Sequence, residues 1–154
     1  MAMQSSESSP AMFSAADGLA ASSTNVLLLV GRILLGWVFF YSGYAKLTNI
    51  AGTTGYFTSL KMPAPELWAW IAGILEFVMG AALILGVATR YAALLVFVFV
   101  LIATLLAHRY WEYPAQQVMA QFNNFLKNLS IMGGALLLFV TGAGRISVDS
   151  TLKK

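Results

Sequence analysis

The stretch 68–107, WAWIAGILEFVMGAALILGVATRYAALLVFVFVLIATLLA, consists of two apolar runs joined by a short link. Each run, 68–87 and 91–107, is close to the roughly 20 residues that a helix needs to cross a ~30 Å hydrocarbon core. The link around Gly86 and Arg90 is short enough to be a tight turn. The stretch therefore predicts two antiparallel transmembrane helices.

The whole composition indicates that lipid is the solvent. Hydrophobic residues make up 59% of the 154 residues and charged residues only 10%, whereas about 25% of the residues in a typical soluble domain are charged. Two further apolar runs, 26–44 and 125–143, are also long enough to span a bilayer. The predicted fold class is an all-α membrane protein, a four-helix transmembrane bundle.

The segments outside the spans have different characters. Residues 1–24 are rich in Ser and Ala and lack Lys and Arg, so we predict a disordered tail before a membrane domain over 25–146, with a second tail over 147–154. The link 45–67 is apolar enough to lie on the membrane surface or to fold back over the bundle. After Pro114, apolar residues recur at helical spacing, which predicts an interfacial helix running directly into span four.

The distribution of Lys and Arg bears on orientation. Four spans place both tails on one side, called here the terminal side, and the links 45–67 and 108–124 on the other, called the long-loop side. The terminal side holds Arg90, Arg145, Lys153 and Lys154, with Arg32 inside span one, and the long-loop side holds Lys46, Lys61, Arg109 and Lys127. This small excess favours cytoplasmic termini under the positive-inside rule.

Several function classes conflict with the residue counts. The chain has no Cys, one His and six acidic residues. Dithiol chemistry is therefore excluded, and a metal site, which needs about three protein ligands for a catalytic zinc, is not expected. A net charge of +3 without a basic run gives no reason to expect nucleic acid as a partner. Redox chemistry would need a bound cofactor, a quinone or a partner protein.

Small and charged residues share one face on each of the first two spans. The residues are Arg32, Gly36, Gly43 and Lys46 in span one and Gly73, Glu76 and Gly80 in span two. Small residues allow helix backbones to approach closely. We therefore predict that these two faces pack against protein rather than lipid.

Glu76 needs a partner or a proton, because a charged side chain inside a bilayer is costly. It lies about 12 Å from the long-loop end of its span, at 1.5 Å per residue. Arg32 could reach it from the terminal side. A long-loop cluster could reach it from the other side, and its members are Lys46, His108, Arg109, Trp111, Lys127 and Asn128. The sequence leaves both pairings open.

Six segments resemble the DoxX family of small bacterial membrane proteins, over about 30–149. They are GRILLGWVFFYSGYAKL (31–47), YFTSLKMPAP (56–65), ILEFVMGAALILGVATR (74–90), HRYW (108–111), FLKNLSIMGGALLL (125–138) and GAGRISVD (142–149). The resemblance implies a protein of the bacterial inner membrane. It also implies a relation to membrane subunits of thiosulfate:quinone oxidoreductase.

The resemblance implies a quinone as cofactor and an oxidoreductase subunit as partner, within the lipid bilayer. On this hypothesis Glu76 and His108 pass protons, while Arg32, Lys46, Arg109, Trp111, Lys127 and Asn128 hold the quinone. His108 would mark the mouth of a pocket near Lys46 and Lys127. Each of these residues also has a structural interpretation. A histidine at a helix end can cap the helix at the membrane interface, and the side chains of Lys46 and Lys127 can extend to that interface. Glu76 can serve only to hold helices together.

Two other functions are compatible with the same residues. The chain could be a structural or assembly subunit, in which the polar residues only hold helices together. It could also be a small-solute or proton permease, for which four spans would require a homo-oligomer.

Overall fold

The computed structural model describes residues 11–152, with side chains from Ser14 onward. Its helices are α1 (Ala11–Thr48), α2 (Ile50–Ser59), α3 (Pro65–Leu85), α4 (Thr89–Ala107), α5 (Ala115–Thr141) and α6 (Val148–Leu152), with a 3₁₀ turn at Tyr110–Glu112. Four of them, α1, α3, α4 and α5, are long and apolar enough to cross a membrane. Over the described residues there is no strand. The predicted all-α four-helix membrane fold is confirmed.

The first helix starts earlier than the sequence suggested. We predicted a disordered tail over 1–24, but α1 begins at Ala11 and continues unbroken to Thr48. Residues 11–21 contain five alanines, and alanine has the highest helix propensity, so this segment extends a helix that the span has already nucleated. Residues 1–10 lie outside the described part of the chain.

The two links on the long-loop side are also largely helical. The helix predicted after Pro114 is present, and it continues without a break into span four as α5. In the link 45–67, Asn49 caps α2 by accepting a hydrogen bond from the backbone N–H of Gly52 at 3.0 Å. α2 then packs against α3, so this link folds back over the bundle.

The closest helix contact joins α1 to α3, which run antiparallel through facing glycines. A Cβ atom placed on Gly36 would lie 2.8 Å from the carbonyl oxygen of Gly80, and one on Gly43 would lie 2.8 Å from that of Gly73. Beside these contacts the rings of Phe40 and Phe77 lie 4.6 Å apart. The small faces predicted for the first two spans therefore pack against each other.

Gly80→Ala is expected to lower the free energy of unfolding by about 2 kcal/mol, because overpacking a close contact costs about 1–3 kcal/mol. The added methyl group would lie 2.7 Å from the carbonyl oxygen of Gly36. Gly133→Ala is the matched control, since nothing lies within 4 Å of a Cβ there. Thermal unfolding in detergent measures both. Equal stability of the two variants would show that the α1–α3 contact is not close-packed.

The rest of the core lies where α4 meets α3 and α5. Leu83 and Val96 are fully buried there, together with Ala93 and Ala135. α4 begins just after a turn in which Gly86 has a φ of 71°, a left-handed conformation that suits glycine. On the terminal side the start of α4 then lies beside α6, where Asp149 accepts a hydrogen bond from the backbone N–H of Ala88 at 2.7 Å.

Candidate functional site

A buried ion pair joins α1 and α3 on the long-loop half of the bundle. Lys46 Nζ donates to Glu76 Oε2 at 2.7 Å and to Ser42 Oγ at 2.7 Å. The Glu76 side chain is 8% exposed and that of Lys46 25% exposed. Ser42 precedes Lys46 by one helical turn, so the hydroxyl and the ammonium group share a face. Of the two pairings that the sequence left open, the structure has the one with the long-loop cluster.

Arg32 does not pair with Glu76. Its Nη1 donates to the carbonyl oxygen of Ala143 at 2.7 Å and its Nη2 to that of Ile146 at 2.8 Å, and the residue is only 1% exposed. The facing glycines place Arg32 beside Gly86, ten residues or about 15 Å along α3 from Glu76. Arg32 therefore lies away from Lys46 and Glu76, and its side chain holds the segment after α5.

A cavity of about 530 Å³ lies beside Lys46, between α1 and α2. Its lining residues are Tyr41, Ser42, Ala45, Lys46, Asn49, Gly52, Thr53 and Tyr56. Small-molecule sites in proteins are typically 300–1,000 Å³ and combine aromatic walls with a few polar groups. The cavity, which is a groove open to the surface, has a volume in this range and a similar lining, and Lys46 connects it to the carboxylate of Glu76.

Tyr56 gives the cavity a second proton donor. Partial burial of its ring, together with the nearby Tyr113, raises the pKa of the Tyr56 phenol above its usual value. The phenol therefore stays protonated at neutral pH. The sequence did not indicate Tyr56, Asn49 and Thr53, because they lie in a link that was not assigned a helix. Ser42 was also not predicted, although its spacing of four residues from Lys46 is a usable signal.

His108 lies elsewhere, at the end of α4. Its Nδ1 is 2.8 Å from Gln121 Oε1 of α5, and its backbone N–H donates to the carbonyl oxygen of Thr104. The cavity beside Lys46 is not lined by His108 or Lys127. The structure thus links His108 to α5 and does not place it at the mouth of this cavity.

Three other predicted residues have local partners on the surface. Arg109 Nη2 lies 3.1 Å from Glu112 Oε2, and Lys127 Nζ donates to Asn124 Oδ1 at 3.1 Å. The ring of Trp111, which is 57% exposed, lies 5.0 Å from that of Tyr110. The long-loop cluster is therefore divided: Lys46 lines the cavity, and these residues belong to the α4–α5 side.

Asn128 forms a buried polar contact between α5 and α4. Its Nδ2 donates to Thr104 Oγ1 at 2.8 Å, and Thr104 Oγ1 donates in turn to the carbonyl oxygen of Val100 at 2.6 Å. Both side chains are buried. Asn128 was predicted to bind a cofactor, but the structure has it in contact with the neighbouring helix.

Asn128→Ala is expected to lower the free energy of unfolding by about 1 kcal/mol, since hydrogen bonds between membrane helices contribute about 0.6–1.7 kcal/mol. The double variant with Thr104→Ala should cost less than the sum of the two single changes, because the two residues share one bond. Thermal unfolding in detergent measures the cycle. Additive effects would contradict the contact.

Comparison with known proteins places the chain among small membrane proteins. Residues 27–109 match the DoxX family. The chain is 39% identical to "Inner membrane protein YphA" of Escherichia coli (strain K12) over 124 residues, which cover 80% of this chain and 89% of that protein. It is 38% identical to "Inner membrane protein YqjF" of the same organism over 130 residues, or 84% and 95%.

More distant similarity extends to eukaryotes. The chain is 26% identical to "Surfeit locus protein 4 homolog" of Drosophila melanogaster over 132 residues, which cover 84% of this chain but 42% of that protein. No solved structure matches the chain.

Proposed function

Because the chain belongs to the DoxX family of integral membrane proteins, we propose that it is a redox-linked subunit that binds a quinone in the cavity beside Lys46. It would work in the bacterial inner membrane, as the names of the two Escherichia coli relatives suggest. Its termini would be cytoplasmic, in keeping with the small excess of Lys and Arg on the terminal side.

The observation that carries the proposal is the position of Lys46 between the cavity and Glu76. Its Nζ has three donor hydrogens, and two are directed at Ser42 and Glu76. The third remains for a carbonyl oxygen in the cavity. The carboxylate of Glu76 lies 2.7 Å from the ammonium group. It would accept or donate the proton that a quinone exchanges when it gains or loses an electron.

The lining suits a quinone ring in size and chemistry. The cavity of about 530 Å³ has the aromatic rings of Tyr41 and Tyr56 in its wall, and these offer flat apolar contact to a ring. A bound quinone would supply carbonyl oxygens that take up electrons and protons. Tyr56 would donate a hydrogen bond to one oxygen, and Lys46 to the other.

The electrons come from a partner in this proposal. The chain has no Cys, and the residues that the structure describes contain no group of three side chains suited to hold a metal ion. The partner would therefore be an oxidoreductase subunit with its own redox group. The proposed site contains fewer residues than the sequence suggested. It keeps Glu76 and Lys46, and it leaves out His108.

A cavity-filling variant tests the binding. Thr53 lines the cavity, whereas Thr58 of the same helix does not. The full-length protein in mild detergent would be titrated with ubiquinone-1 by calorimetry, and its copurified quinones identified by mass spectrometry. Thr53→Phe should weaken binding at least about tenfold, which corresponds to about 1.4 kcal/mol, and Thr58→Phe should leave it unchanged. Wild-type protein that binds no quinone, or equal binding by both variants, would refute the proposal.

One observation favours a structural subunit instead. Lys46, Ser42 and Glu76 satisfy one another within the protein, directly beside the close contact of α1 with α3. On this second proposal the ion pair only locks these helices, and the chain docks a peripheral oxidoreductase. The behaviour of Glu76→Gln, discussed below, distinguishes the two functions.

A further inference from the structure

A second cavity, of about 300 Å³, lies on the terminal side, between the start of α4 and the loop that follows α5. Its wall includes Thr89, Arg90, Gly142, Arg145 and Asp149. It lies at the opposite end of the bundle from the cavity beside Lys46. We propose that it binds a phosphate group, carried by the headgroup of an anionic phospholipid.

Arg90 presents fixed donors to this cavity. Its Nη1 donates to the carbonyl oxygens of Phe139 and Val140, at 2.5 and 2.8 Å, which anchors the guanidinium group on the end of α5. Its Nη2 and Nε lie 3.3 and 3.4 Å from where a Cβ of Gly142 would be. Gly142 has a φ of +77°, so a glycine there both avoids strain and keeps the donors open to the cavity. Two anchored N–H groups of one guanidinium match the geometry of a phosphate.

The charges around the cavity are unbalanced. Arg32, Arg90 and Arg145 converge on this end of the bundle with Asp149, which gives three positive groups against one negative. Both carboxylate oxygens of Asp149 accept backbone N–H groups of α4, from Ala88 at 2.7 Å and Thr89 at 2.9 Å. Its charge is thus directed into the helix N-terminus, where it is stabilised, and the two exposed arginines keep an excess of positive charge.

Thr89 adds an independent observation. It is completely buried, it lines the cavity, and its hydroxyl has no hydrogen-bond partner among the described residues. A buried hydroxyl without an acceptor costs free energy. An unpaired donor therefore lies just behind the cavity wall, and an anionic oxygen would satisfy it after a small movement of the wall.

The position of the cavity favours a lipid as the source of the phosphate. It lies where α3 and α5 end and α4 begins, which is the boundary of the spans. Tyr91 next to it is 76% exposed, as interfacial aromatics are. Deeper along the same helices, Leu95, Leu137 and Val140 are exposed by 54%, 70% and 69%. Acyl chains attached to a phosphate in the cavity could run along these side chains.

Arg145→Gln tests the site without disturbing the fold, because the side chain is exposed and two hydrogen bonds of Arg145 involve its backbone. Its N–H donates to Asn25 Oδ1, and its carbonyl oxygen accepts from Ser150 Oγ. The control is Arg109→Gln, which removes the same charge on the long-loop side. The full-length protein in mild detergent would be titrated with dioleoyl-phosphatidylglycerol in native mass spectrometry, and with dioleoyl-phosphatidylcholine for comparison. A second arm adds inorganic phosphate as competitor.

We expect phosphatidylglycerol to bind more tightly than phosphatidylcholine. Arg145→Gln should weaken it about fivefold, the contribution of one cation near an anionic lipid surface, and Arg109→Gln should have no effect. Failure of millimolar phosphate to displace the lipid would identify the headgroup as the ligand. Displacement that depends on Arg145 would identify free phosphate at the same site. Equal effects of the two arginine changes, or no preference for the anionic lipid, would overturn the proposal.

Discussion

Glu76→Ala is expected to lower the free energy of unfolding by about 3 kcal/mol, because it leaves Lys46 with its charge and without its carboxylate partner. Breaking a buried ion pair from one side costs about 3–5 kcal/mol in soluble proteins. The lower end applies here, since the Lys46 side chain is 25% exposed and keeps its hydrogen bond to Ser42. Thermal unfolding of the full-length protein in detergent measures the loss. The control is Glu66→Ala, which removes an exposed carboxylate from the first turn of the same helix.

Glu76→Gln separates the two proposed functions. The amide keeps the shape and one acceptor for Lys46 Nζ, so it should recover most of the stability that alanine loses. If Glu76 handles protons, quinone-linked turnover with the native partner should stay low, because an amide does not exchange a proton at neutral pH. If Glu76 only locks α1 to α3, turnover should return with stability. An alanine variant as stable as the wild type would contradict the buried pair itself.

Arg32→Ala is expected to cost about 3 kcal/mol and to release the segment after α5. The guanidinium donates two hydrogen bonds to this segment, to the carbonyl oxygens of Ala143 and Ile146, and bonds from a charged group contribute about 1.5–3 kcal/mol each. Part of that is offset, because the variant no longer buries a charge. Thermal unfolding should show the loss of stability. Limited proteolysis should show cleavage within 143–152 at conditions under which the wild type is intact.

Two further variants test whether the effect of Arg32→Ala depends on the two hydrogen bonds of the guanidinium group. Arg32→Lys keeps the charge, but a single ammonium group cannot reproduce the planar fork that reaches two carbonyls, so it should restore little. Ile33→Ala, at the neighbouring exposed position, should leave the proteolysis pattern unchanged. If Arg32→Ala left the segment 143–152 as protected as in the wild type, the two hydrogen bonds would not be what holds it.

Those parts of the fold that depend on local pattern could be predicted from the sequence. The spans follow from the lengths of apolar runs. The protein-facing sides of spans one and two follow from Gly36, Gly43, Gly73 and Gly80, because glycines seven residues apart return to the same helix face, but the structure was needed to show that these two sides pack against each other. The N-terminal part of α1 was not predicted. Its alanines form a helix only as an extension of the span, and composition alone does not show this.

The site was only partly predictable, because its contacts depend on how the helices are rotated and stacked. Glu76 was singled out correctly as needing a partner, but the choice between Arg32 and Lys46 required the register of α1 on α3. The acceptors of Arg32 are backbone carbonyls, and no residue type marks a carbonyl as an acceptor. His108 contacts Gln121 because of the rotation of α5, which the apolar spacing did not determine.

The long sequence separation of the Arg32 contacts has a consequence for biosynthesis. Arg32 belongs to α1, which the ribosome makes before the other described spans, whereas its acceptors at Ala143 and Ile146 are 111 and 114 residues further along the chain. At about 5–20 residues per second, these acceptors follow Arg32 after about 6–23 s. During that interval the guanidinium group cannot be in its final environment, so the inserted helix must keep it near water, lipid phosphates or the insertion machinery. The terminal side can therefore close around Arg32 only after α5 and the segment that follows it have been made.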